Sequence, residues 1–131
     1  MKVLDATFLI DYLDGVDAAA EYLLAHETER FIVPAPAYAE VLVGEGNAPN
    51  GDVAAVKADL SWGEVYEPTA NTATLAGEIA NEIGPDGPFL TGMDGLIAAT
   101  GRELGAPVVS NDTDLTHEAT KAVVDVEEYR D

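Results

Sequence analysis

A chain of 131 residues is of single-domain size and long enough to build one hydrophobic core. It has no cysteine, which removes disulfides, thiolate metal sites and thiol nucleophiles; oxygen ligands and two histidines, His26 and His117, remain for any chemistry. A net charge of -19 accompanies an apolar content that is still that of a globular domain, which argues against disorder.

In chain order, Lys2–Asp5, Phe31–Pro34, Glu64–Glu67, Val108–Ser110 and Val123–Val126 read as short strands, most of them too apolar for exposed edges. Between them Ala18–His26, Ala37–Val43, Val53–Leu60, Thr72–Ile83 and Gly95–Leu104 carry apolar residues at helical spacing, as in Leu75, Ile79 and Ile83. GEGNAPNGD, residues 44–52, reads as a loop between two helices, and GPDGP at 84–88 breaks the chain again. Alternating strands and helices predict an α/β fold with a mainly parallel sheet covered by helices, and ligands at the carboxyl ends of the strands. No apolar run approaches a bilayer span, and Asp5 and Asp11 interrupt the N-terminal apolar stretch. Neither a membrane segment nor a signal peptide is expected, which makes a cytoplasmic location the expectation.

Most of the 25 acids fall in polar runs that face water by default. Four do not. Asp5 ends the first apolar strand, Glu40 sits in PAPAYAEVLVG, Asp94 in FLTGMDGLIAAT, and Asp112 in VVSNDTDL just past a strand. Each alone has a commoner explanation: a strand-end turn for Asp5, a helix cap or first-turn acid for Asp94 and Asp112, a solvated helix position for Glu40. Brought together, four carboxylates cannot all ionise without a countercharge, and a hard cation such as magnesium or manganese would supply it. Asp11 reads as solvated or as a cap on an early helix, the two histidines as surface residues, and Trp62, Tyr38 and Tyr66 as core or interface. Asp5-Ala6-Thr7 lacks the second Asp of an aspartyl-phosphate phosphatase loop, and no Gly-rich phosphate cradle follows the first strand.

LDATFLIDYLDG, PAPAYAEVLVG and MDGLIAATGRELGAPVVSNDTDL resemble, in order and spacing, the PIN-domain ribonucleases, most closely the small toxins of VapBC-type toxin–antitoxin pairs. Asp94-Gly95-Leu96-Ile97-Ala98-Ala99 is the most specific match, whereas Leu115 stands where the family usually has Phe. The resemblance implies one PIN-like domain over residues 1–131, with a five-stranded parallel sheet and helices on both faces. It further implies a metal-dependent endoribonuclease using Mg2+ or Mn2+, with Asp5, Glu40, Asp94 and Asp112 catalytic and, with Asp114, metal-binding. Asp112 is the favoured fourth ligand over Asp114, and Thr7 and Asn111 are implied to hydrogen-bond and orient the ligands. An RNA substrate, a cognate antitoxin and a homodimer complete the implied set. The rival is a module that kept the fold, and the metal, without turnover.

Six basic residues cannot supply the phosphate-neutralising surface that usually drives nucleic-acid affinity, so Lys57, Arg102 or a second subunit are the candidates to assist. The acidic excess reads as adaptation to a salty cytoplasm such as a halophile's, with a basic partner as the competing explanation. At roughly 1 M salt the Debye length falls to about 3 Å, which screens repulsion among surface acids. Stability should therefore rise from dilute to molar potassium chloride, seen as a rising urea midpoint; an unchanged midpoint would remove the halophilic interpretation.

Overall fold

The computed structural model describes residues 1–130. Five parallel strands form one sheet: β1 (Lys2–Leu4), β2 (Phe31–Pro34), β3 (Glu64–Tyr66), β4 (Val108–Ser110) and β5 (Val126–Glu128), in the order β3-β2-β1-β4-β5. Parallel neighbours need long crossovers, and helices supply them: α1 (Ala6–Leu13), α2 (Asp17–Ala25), α3 (Ala35–Asn47), α4 (Val53–Asp59), α5 (Ala70–Ile83), α6 (Gly92–Leu104) and α7 (Glu118–Lys121). Val3, Leu4, Ile32, Val33, Val108 and Val109 are all buried, as strands covered on both faces require. The outermost strands carry charge, and their acids pair with Arg30, Lys2 and Lys121, which discourages further strand addition. None of the described helices is long and apolar enough to cross a membrane.

Helix starts follow from local chemistry. The Asp5 and Asp52 carboxylates and the Thr91 hydroxyl each accept a first-turn backbone N–H, while Thr69 and Thr72 form a reciprocal capping box. The α6 stop is equally local, because Gly105 takes φ 64°, a left-handed conformation that side chains resist.

Three expectations shift. β1 ends at Leu4 rather than Asp5, because the Asp5 side chain turns back to cap α1, although its backbone N–H still bonds Val109. α3 continues to Asn47, through half of the segment expected as a loop. Its end is held from outside: the Glu45 carboxylate accepts the Asp52 N–H, and the chain passes so close that a Cβ on Gly51 would collide with the Glu45 carbonyl. The last strand runs Val126–Glu128, not Val123–Val126, because pairing aligns Val108 with Val126 and Ser110 with Glu128. Val124 is instead buried in the turn after α7, so its apolar character serves packing and not the ladder.

Gly105→Ala should destabilise the protein by about 1 kcal/mol through the cost of a left-handed alanine. Urea denaturation would show this as a lower midpoint at unchanged slope.

Candidate functional site

The carboxyl ends of β1 and β4 are neighbours, with Leu4 opposite Val109, so the residues that follow each strand meet at one pole. There a cleft of about 480 Å³ is lined by Asp5, Thr7, Glu40, Asp94 and Asp112, with Ile10, Met93 and Ile97 among its apolar wall. Four carboxylates far apart in sequence thus share one cavity.

Asp5 is the most deeply placed, at 2% exposure. Its Oδ1 accepts the Thr7 hydroxyl at 2.7 Å and the Phe8 N–H at 3.0 Å; its Oδ2 accepts the Ser110 hydroxyl at 2.5 Å. Since each carboxylate oxygen offers two lone pairs, Oδ1 is saturated and Oδ2 keeps one site for an outside group. Asn111 takes part through its backbone N–H, which donates to Thr7 Oγ1 at 3.0 Å. Ser110 was not among the sequence candidates, yet it links both strands: its Oγ also accepts the Asp112 N–H at 2.9 Å. A serine ending a buried strand beside two acids is the signal that could have singled it out.

Asp94, Asp112 and Asp114 each present an oxygen such that all three lie within 4.8 Å of one another. Asp94 sits in the first turn of α6, where the helix dipole favours negative charge. Asp112 folds the following turn, its Oδ2 accepting the N–H groups of Asp114 and Leu115 at 3.0 Å each, and this turn carries Asp114 back toward Asp94. Leu115, standing in the aromatic position of the family pattern, is buried at 1% exposure and anchors the turn to the core. Asp5 and Glu40 line the same cleft but lie outside the tight trio, Glu40 being exposed at its edge.

The charges are mutually unfavourable. Burial, then the Asp112 charge, with smaller contributions from Asp114 and Glu40, push the Asp94 carboxyl up, against the Thr91 hydrogen bond. Burial pushes Asp5 up to about 6, despite three hydrogen bonds acting the other way. An all-oxygen donor set with unrelieved like charge fits a hard divalent cation.

Other candidates fall elsewhere. Arg102 lies two turns down α6, about 12 Å along the helix from Asp94, and is engaged by Glu82 and the Val123 carbonyl. Lys57 is exposed on α4 and does not line the cleft. His26 stacks on Tyr22 and His117 caps α7, so both serve local structure. Asp11 is not a cap, and its partly exposed side chain is engaged: it lies within α1, with its Oδ2 accepting the Tyr129 hydroxyl and an Arg130 N–H. The cause is tertiary, because those donors come from the far end of the chain.

Residues 2–121 match the PIN domain family, and the chain belongs to it. Among solved structures it is similar to a toxin–antitoxin complex from Klebsiella pneumoniae (18% identity, TM-score 0.78, covering 100% of this chain and 99% of that one). VapBC2 from Rickettsia felis, bound to a DNA fragment from their promoter, gives 20% identity and TM-score 0.79 over 97% of both chains. VapC20 from Mycobacterium tuberculosis, a Sarcin-Ricin loop cleaving toxin, gives 18% and 0.65 over 95% of this chain and 96% of that one. Comparison with curated protein sequences returned no match.

The Asp5 shift fixes the sign of a pH effect. Between its ordinary value of 3.8 and about 6 the folded protein holds a proton that the unfolded chain releases. The associated stabilisation is complete at low pH and lost as pH rises through about 6, a change of roughly 3 kcal/mol. Asp5→Asn, which keeps the size and a hydrogen-bonding oxygen, should therefore gain on wild type between about pH 4 and pH 7 in chelator. Urea midpoints of both proteins across that range check it; parallel curves would show that Asp5 does not carry the shift.

Proposed function

We propose that this PIN-domain protein is a metal-dependent endoribonuclease acting as the toxin of a type II toxin–antitoxin pair. The observation that carries the reading is the convergence of Asp94, Asp112 and Asp114, the first two of which line a cleft together with the buried Asp5. Asp94, Asp112 and Asp114 would hold a Mg2+ or Mn2+ ion, with Asp5 Oδ2 and Glu40 facing the same space. A cation bound there supplies activation of water and neutralisation of phosphate charge.

The chain's own residues set the conditions for that chemistry. Thr7, Phe8 and Ser110 fix the Asp5 carboxylate with their hydrogen bonds and leave one lone pair of Oδ2 for a further group. Ile10, Met93 and Ile97 give the cleft an apolar wall that raises the strength of electrostatic interactions inside it. Basic side chains contribute little. Lys2, Arg30, Arg102, Lys121 and Arg130 are all paired with carboxylates, leaving a substrate phosphate dependent on the cation for countercharge. Recognition of the RNA would then rest on shape and hydrogen bonding.

The similar structures from K. pneumoniae and R. felis are toxin–antitoxin assemblies, and VapC20 is a Sarcin-Ricin loop cleaving toxin. That likeness supports an antitoxin partner and a structured RNA target for this chain; the homodimer is carried only by the family resemblance. The acidic pole suits a basic or aromatic antitoxin segment. A PIN-like module without turnover is the alternative, and the acids it would be free to lose are all present.

Wild type should cleave structured RNA hairpins, a sarcin–ricin loop among them, in molar salt with Mn2+ or Mg2+ and not with chelator. Asp94→Asn should reduce cleavage by at least roughly 100-fold while circular dichroism shows an unchanged fold. Undiminished cleavage by the folded variant would place the activity elsewhere. Manganese binding without cleavage of any hairpin would favour the inert module.

A further inference from the structure

The first turn of α1 does more than begin a helix: it delivers the Thr7 hydroxyl and the Phe8 N–H to Asp5. What fixes that turn comes from the opposite end of the chain. β5 runs parallel to β4, with Glu128 opposite Ser110, so the next residue, Tyr129, emerges at the same pole as the acids. Its ring meets the Phe8 ring edge-on at 4.8 Å and 72°, and its hydroxyl donates to Asp11 Oδ2 at 2.5 Å. Asp11 stands one turn beyond Thr7 and Phe8, and Arg130 holds the same Oδ2 at 2.8 Å. Tyr129 thus touches α1 twice, once through Phe8 and once through Asp11, spanning the turn that organises Asp5.

The neighbouring aromatic contact makes a useful contrast. Tyr22 also meets Phe8 edge-on, at 5.8 Å, but its hydroxyl donates to Glu127 and leaves α1 untied. Tyr129 follows directly on β5 and lies beyond residues 2–121 that match the PIN family. Burial and the Asp11 carboxylate push the Tyr129 phenol up, which keeps it a donor throughout the physiological range.

We propose that Tyr129, bound to Asp11 and braced on Phe8, is a positioning residue: it clamps the first turn of α1 and thereby fixes Asp5 for the metal-dependent cleavage proposed above, on which this inference rests. Tyr129 makes no contact with the substrate in this role. It acts through Thr7 and Phe8, and its loss leaves the carboxylates in place but Asp5 less narrowly held. A clamp of this kind changes turnover and cation affinity together, and leaves RNA binding alone.

The experiment compares wild type with Tyr129→Phe, Asp11→Leu, Asp11→Asn, Tyr22→Phe and Asp94→Asn. Manganese affinity is read from the spin-resonance signal of free Mn2+, and amide exchange is measured in metal-free protein. Tyr129→Phe should weaken manganese binding roughly tenfold and lower kcat by a similar factor at unchanged KM. The Phe8 and Asn111 amides, whose N–H groups bond Asp5 and Thr7, should exchange roughly tenfold faster. Asp11→Leu should behave alike, Asp11→Asn should keep most of the wild-type manganese affinity and amide protection because it keeps an acceptor, and Tyr22→Phe should match wild type. Unchanged manganese affinity and amide exchange in Tyr129→Phe, beside lost binding in Asp94→Asn, would overturn the clamp alone. Wild type that binds no manganese would overturn the clamp together with the proposed function.

Discussion

Ser110 Oγ and Asp5 Oδ2 join the carboxyl ends of β1 and β4 across 105 positions of sequence, and the arrangement of the site follows from that contact. Asp5 cannot be buried without donors, because an unpaired carboxylate out of water costs several kcal/mol. The donors it finds also set its neighbours: Thr7 receives Asn111, and Ser110 receives the N–H of Asp112. One desolvated carboxylate therefore aligns the start of α1 with the turn after β4, and that turn brings Asp112 and Asp114 up to Asp94. The cost is stored in the folded protein as like charge and burial, which is what a cation would relieve.

The surface charge and the site charge obey different physics. Solvated acids repel over distances that salt shortens, so molar salt calms them. The carboxylates of the cleft are close and partly buried, where screening by salt is weak, so only a bound countercharge or protonation neutralises them. The pairing of five of the six basic side chains with acids sharpens the contrast. Positive charge is spent on holding strands and helices together, and none of those five pairs opens onto the cleft.

The ordinary roles of the acids and their presence in the cleft are compatible. Asp5 caps α1 while lining the cavity, Asp94 occupies a first helical turn that favours its charge, and Asp112 folds a turn with one oxygen. Local capping is the means by which the chain aims these groups. A reading that treats cap and ligand as rivals misses that a cap residue has a fixed rotamer, which is what a preorganised site needs.

By itself the sequence determined the alternation of strands and helices, the parallel sheet, the PIN pattern and the four acids in odd settings. Apart from the PIN pattern, which rests on the order and spacing of three segments, these are local signals: hydrophobic period, Gly and Pro punctuation, and a charge inside an apolar run are each readable within a dozen residues. The tertiary structure decided the rest. It moved the last strand from Val123–Val126 to Val126–Glu128, because register with β4 outweighs apolar content in choosing which residues pair. It drew Asp11 to Tyr129 and Arg130, separated from it by 118 and 119 positions, where a surface acid was expected. It set Asp114 beside Asp94 and Asp112 while holding Asp5 apart on Ser110. Such choices depend on which distant donors arrive at one point in space, and sheet order and strand register fix that only when the whole chain has folded.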